Sequence, residues 1–310
     1  MSWKTIPGLL KAAFLRWWAG NTFLLGAALA YYTVFALAPV VLIALAMAGL
    51  FFDKRAARTG LLQEINYTVG DRVGVAIGSV IDDSSDTDTG VFATIVAVVM
   101  LCFGATSVFA QLQDALNTIW GVQRKEGIAW WIAVKDRFWS FTIVLAFGFL
   151  LLVSLVFSAV LAALAKFVEP SALPGGTYLW QALNWLISFG LITLLFALIY
   201  KLLPDTKIDW SDVWVGAAVT ALLFDLGKYL IGMYLGRSSW ISSYGAAGSL
   251  VVILLWVYYS SQIFLFGAEF TYVYAHHEGK QVIPKENAEP ATTQRMKSEE
   301  WKEVVPPPAA

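Results

Sequence analysis

Asp225 and Lys228 stand three residues apart in "TALLFDLGKYLIG" (220–232), inside a long apolar run. On a helix that spacing puts both side chains on one face, close enough to pair. A third ionisable residue, Glu269, stands in "FLFGAEFTYVYA", towards the end of the last apolar run. A lone charge at the bilayer centre costs about 3 kcal/mol on insertion scales. Pairing lowers that cost, and removing both charges would lower it further. Two readings therefore stand side by side. In one, Asp225, Lys228 and Glu269 form an intramembrane polar site between helices, on a path for a substrate or a proton. In the other, Asp225 and Lys228 are an ion pair that fixes helix register, while Glu269 reaches the headgroups. Contact between Glu269 and Lys228 requires helix tilt, because Glu269 lies nearer the end of its run.

The elements that must carry these residues are read from hydropathy. Of the 310 residues, 58% are hydrophobic and 14% charged, and the mean hydropathy is +0.66. A soluble domain is about half apolar and a quarter charged. Runs near 27–52, 91–112, 139–164, 183–203, 213–235 and 249–274 are each long enough for a helix to cross a bilayer, which takes about 20 residues. Such uniform runs suit helices, not the alternating strands of a membrane barrel. The expected fold class is all-α: a polytopic membrane protein with six transmembrane helices and additional amphipathic interfacial helices. The expected regions are an amphipathic cytoplasmic segment over 1–25, a six-span membrane domain over 26–276, and a disordered cytoplasmic tail over 277–310. Within the second region, an amphipathic extracytoplasmic loop covers about 53–90.

Lys and Arg outside the runs set the expected orientation. They gather at the N-terminus (Lys4, Lys11, Arg16), in the second loop (Arg124, Lys125, Lys135, Arg137), near Lys201 and Lys207, and in the tail. The alternate side holds fewer, four of them in the first loop (Lys54, Arg55, Arg58, Arg72). Both termini are thus expected in the cytoplasm, with the chain in a bacterial inner membrane. Trp120, Trp139, Trp185 and Trp214 fall near expected span ends, as indole rings prefer the headgroup zone. Residues 3–18 place Trp3, Ile6, Leu10, Phe14, Trp17 and Trp18 at helical spacing, which predicts a helix lying on the cytoplasmic membrane surface. Residues 61–80 repeat the pattern and predict a helix on the membrane or on the protein's own outer face.

Further residues invite a structural role. Pro39 interrupts the first span and invites a kink, as a hinge or as a matter of packing. Gly245 and Gly248, in "SSYGAAGSL", suit a tight turn ahead of the last span. Asp114 and Asn117 end the second span, where the helix leaves the membrane. Soluble-enzyme chemistry finds little to use. The single Cys102 lies in an apolar run, and the only histidines, His276 and His277, are adjacent and point about 100° apart on a helix. No HExxH, Walker loop, GxSxG or GxGxxG occurs. The net charge of −1 provides no basic surface for nucleic acid. No metal, cofactor or enzymatic activity is expected.

Four stretches carry a resemblance: "AYYTVFALAPVVLIAL" (30–45), "GATSVFAQLQDALNTIWGV" (104–122), "LLPDTKIDWSDVWVGAAVTALLFDLGKYLIGMYLG" (202–236) and "YGAAGSLVVILLWVYYSSQIFLFGAEFTYVYA" (244–275). With them the chain resembles the YihY/BrkB family of bacterial inner-membrane proteins. The resemblance implies a six-span helical protein and associates it with the cell envelope. Members have been labelled a ribonuclease, a serum-resistance factor and an envelope-lipid transporter. The ribonuclease label fits poorly, for want of metal ligands in water and of a basic RNA surface. Two function classes remain: a transporter or flippase-like permease for an envelope lipid or other amphiphile, and a non-transporting scaffold for envelope integrity. Membrane lipids are the expected partners, with a homo-oligomer or an envelope protein partner open.

Overall fold

The computed structural model describes residues 6–48, 53–69, 74–75, 77–78, 107–125, 176–237, 248–277 and 279–291. The expected spans 91–112 and 139–164 lie outside the described residues, apart from the end of the first, and so does Gly245. In chain order the described elements are α1 (Ile6–Ala19), α2 (Thr22–Ala48), α3 (Lys54–Val69), α4 (107–120) and β1 (Val122–Arg124). They continue with α5 (Gly176–Leu202), β2 (Thr206–Lys207), α6 (Trp210–Arg237), α7 (Gly248–His277), β3 (Ile283–Pro284) and β4 (Ala288–Pro290).

The described chain is mainly helical, and α5, α6 and α7 form its backbone. Each holds an apolar stretch long enough to cross a membrane: Trp185–Leu202, Trp210–Tyr234 and Leu250–His277. At 1.5 Å per residue these helices run about 40–45 Å, longer than a hydrocarbon core of about 30 Å. Helix α2 is apolar along its length and continues helical through Pro39 to Ala48. The expected interruption at Pro39 therefore does not end the helix.

Small residues let the helices approach closely. Where α6 crosses α7, Gly216 faces the Thr271 side chain and Gly267 faces that of Thr220. Thr220 Oγ1 donates to the Gly216 carbonyl at 2.7 Å, and Thr271 Oγ1 donates to the Gly267 carbonyl at 2.8 Å. Each hydroxyl is thus satisfied on its own helix while filling the groove that a glycine leaves on the other. Gly26 similarly lets α2 meet Gln262 of α7. The main core gathers Leu116, Trp120, Phe196, Tyr200, Val213, Ala217, Phe264 and Ala268 at one end of the bundle. A second cluster, with Ala30, Ile77, Val252 and Val257, lies at the other end.

Two expectations change here. The tail, expected to be disordered from 277, is ordered over 279–291. β4 pairs antiparallel with β1 (Gln123 opposite Glu289), and β3 pairs with β2 (Lys207 opposite Ile283). Two short sheets thus join an otherwise all-α architecture. Gly121 (φ 65°) and Gly279 (φ 76°) make this possible, because each turns the chain out of a helix end through a conformation that L side chains rarely adopt. Polarity had suggested solvation, but Lys280 is tied down. Its Nζ lies 2.7 Å from Asp212 Oδ1, buried in the first turn of α6, and 3.1 Å from Asp209.

The second change is an addition to the N-terminal segment: helical as its spacing predicts, it also packs against α7. Leu9 and Ala13 are buried against Phe270, Val273 and Tyr274 of α7. Ile6, Leu10, Phe14 and Trp18 form an exposed apolar stripe. Arg16 points into the protein. The chain then bends at Gly20–Asn21, and Thr22 Oγ1 donates back to the Trp17 carbonyl.

Candidate functional site

The residues singled out from the sequence fall into separate clusters. Asp225 and Lys228 pair as their spacing predicts, with Nζ 2.5 Å from Oδ1. The Trp185 indole of α5 donates to Asp225 Oδ2 at 2.9 Å, and its ring stacks on Phe189. The Lys228 ammonium also lies 5.3 Å from the Tyr229 ring centroid. The two charged side chains are only 15% and 13% exposed. They sit roughly 22–27 Å along α6 from Trp210, beyond the middle of the span. Beside them a cleft between α6 and α7 is lined by Phe224, Lys228, Ile231, Trp256, Tyr259, Ser260 and Ile263. In this conformation it has no room for a water molecule.

Glu269 does not join that cluster. Its Oε2 accepts from Arg16 Nε at 2.5 Å, and both side chains are nearly buried. The Arg16 guanidinium also donates to the Ile119 carbonyl at 3.1 Å and lies 3.8 Å above the Tyr272 ring. The Tyr272 ring also stacks with His276 at 3.9 Å and meets Trp120 edge to face at 5.4 Å. The expected single site of three ionisable residues is thus two sites. The reason is that α1 reaches the end of α7 and brings a cation that periodicity along α7 could not reveal.

A third cluster centres on Asp205, which the sequence reading did not single out. Asp205 follows Pro204 in the turn between α5 and α6. Its carboxylate accepts from Gln113 Nε2 at 3.0 Å and from Asn117 Nδ2 at 2.8 Å. Arg124 Nε lies 3.5 Å away, and its Nη2 donates to Gln113 Oε1 at 2.7 Å. The Asp205 amide in turn donates to Asn117 Oδ1 at 2.8 Å. Asn117, expected merely to mark a helix end, is buried and holds this turn by both atoms of its amide. Asp114 stays outside the clamp. Partial burial raises its carboxyl above the usual range, Arg124 opposes that shift, and Asp205 adds to it. Gly248 is buried at the start of α7.

The Asp205 clamp yields a sharp expectation. Asp205→Ala should lower stability by about 2–3 kcal/mol, because it strands the amide donors of Gln113 and the buried Asn117. Asp114→Ala should stay within about 0.5 kcal/mol, since that side chain makes no comparable bond. Thermal unfolding of the purified chain in detergent reads both; equal melting of the two variants would contradict the clamp.

No group of three His, Cys, Asp or Glu side chains placed to hold a metal occurs among the described residues.

Comparison with known proteins widens the frame. The profile of the virulence factor BrkB family matches residues 13–292, taking in Arg16, Asp205, Asp225, Lys228 and Glu269. A UPF0761 membrane protein of Mannheimia succiniciproducens is 28% identical over 252 residues, 79% of this chain and 82% of the relative. One of Actinobacillus pleuropneumoniae is 29% identical over 270 residues, 86% of this chain and 92% of the relative. A Pseudomonas aeruginosa UPF0761 membrane protein is 28% identical over 247 residues, and the match spans 78% of this chain but only 56% of that longer protein. No solved structure matches the chain. A profile match from inside α1 to beyond β4, joined to relatives that bear the name of membrane proteins, accounts for the long apolar helices: the chain belongs to the virulence factor BrkB family.

Proposed function

We propose that the chain is a six-span permease of the bacterial inner membrane, moving an envelope lipid or another amphiphile past a polar station between helices. The observation that carries this reading is the Asp225–Lys228 pair, held by Trp185 inside an apolar span. Charges in that position are costly and commonly mark transport paths. The reading takes the spans as α2, α5, α6, α7 and the runs 91–112 and 139–164. It places in the cytoplasm the bundle end that carries Arg124, Lys201, Lys207, Lys280 and Lys285, in line with the positive-inside rule. Both termini then lie on that side. Membrane lipids are the partners, the role is not enzymatic, and a homo-oligomer or an envelope protein partner is compatible with it.

The test is translocation of a fluorescent phospholipid in proteoliposomes. Wild type should scramble it, while Asp225→Asn and Lys228→Met should fall to the protein-free rate yet remain folded and inserted. Equal rates with and without the wild-type protein would end the permease reading. A second reading, a non-transporting scaffold for envelope integrity, is favoured by the fully paired Arg16–Glu269 contact and the narrow cleft. On that reading the same variants change only thermal stability.

A further inference from the structure

We propose that the cleft beside Lys228 takes the phosphate group of a glycerophospholipid. The assignment rests on the reading of Asp225 and Lys228 as a polar station and names the chemistry the station recognises. Its groups are donors. Lys228 brings an ammonium, and Tyr259 and Ser260 bring hydroxyls to the same cleft. Trp256 adds an indole N–H that is buried without a hydrogen-bond partner among the described residues. Native folds keep few unmatched buried donors, because each forfeits its hydration for nothing in return. Its ring is held edge-on to Phe224 at 6.0 Å, so the donor is set in place by packing. The Tyr259 phenol lies against α6 at Gly227, the residue before Lys228.

This donor set calls for an acceptor-rich anion. A lone amine headgroup would need a carboxylate, and none lines the cleft among the described residues, whereas Lys228 pairs with Asp225 through one of its three N–H groups. A phosphodiester presents two unesterified oxygens and one negative charge, matching an ammonium and an indole N–H. The remaining walls, Phe224, Ile263 and the aromatic rings, are apolar. Inorganic phosphate would surrender its hydration to them, whereas a lipid brings acyl chains for the same surface. The cleft reaches the surface beside Lys228, whose side chain is 13% exposed, and it must widen to admit the headgroup.

Native mass spectrometry of the purified full chain in detergent tests the assignment with phosphatidylglycerol, with diacylglycerol of the same acyl chains, and with inorganic phosphate as competitor. Phosphatidylglycerol should be retained about tenfold better than diacylglycerol, as a charge-assisted contact implies. Trp256→Phe should reduce that preference several-fold, since it deletes the indole donor and leaves a smaller apolar ring in its place. Lys228→Met should abolish the preference. Equal retention of the two lipids would overturn the assignment, as would a Trp256→Phe variant with its lipid preference intact. Displacement of the lipid by equimolar inorganic phosphate would overturn its lipid part. Selective retention without translocation would leave the assignment standing and remove the permease; translocation without phosphate preference would do the reverse.

Discussion

Arg16→Ala is expected to lower stability by about 3–5 kcal/mol, the cost of leaving a buried carboxylate without its cation. Glu269 is 4% exposed, and Arg16 is its hydrogen-bonding partner. Removing Arg16 also strips the Ile119 carbonyl of a donor and Tyr272 of a stacked cation. The effect should spread beyond one contact, because Arg16 joins α1 to α7 and to the end of α4. The replacement Arg16→Met with Glu269→Met should recover most of the loss, since two apolar side chains of similar size need no compensation. Thermal unfolding in detergent measures both. A single variant as stable as wild type, or a double variant no better than the single, would show that the pair does not hold α1 in place.

Gly267→Ala should cost about 3 kcal/mol or more, a large effect for one methyl group. A Cβ there would stand 1.9 Å from Thr220 Oγ1 and 2.6 Å from the Tyr200 hydroxyl. Neither neighbour can retreat freely. Thr220 Oγ1 bonds to the Gly216 carbonyl at 2.7 Å, and the Tyr200 hydroxyl donates to the Phe264 carbonyl at 2.7 Å. The helices must therefore separate, losing contacts along the crossing. Gly190 supplies the control. It is also within a helix, α5, but a Cβ there meets nothing within 4 Å among the described residues. Gly190→Ala should be neutral or stabilising by up to about 1 kcal/mol. Similar melting of the two variants would show that the crossing tolerates the extra methyl.

Which parts were legible follows from the range of each interaction. The Asp225–Lys228 pair was readable because three residues along a helix is one turn, so the contact is local. The Arg16–Glu269 pair joins residues 253 positions apart, and no periodicity along either helix announces it. One signal was present: a carboxylate in an apolar run needs a cation, and Arg16 ends a helix that feeds the bundle. Asp205 was passed over because a charge in a short turn normally faces water. Only the return of α4 beside that turn gives it Gln113 and Asn117. The tail read as disordered because its residues are polar, yet its backbone pairs with two strands already present in the loops. Gly216 and Gly267 looked like ordinary small residues, and only the antiparallel crossing sets each against a threonine.

By itself the sequence determined that this is a helical membrane protein, where the long apolar helices α5, α6 and α7 lie, and that α6 carries an acid and a base three residues apart. Those properties depend on transfer free energy summed along a window and on the 3.6-residue turn, both of which are local. The tertiary structure decided which buried charge meets which. It sent Glu269 to Arg16 and left Lys228 beside an unmatched indole N–H, because partners hundreds of residues apart are chosen by helix packing and not by order along the chain.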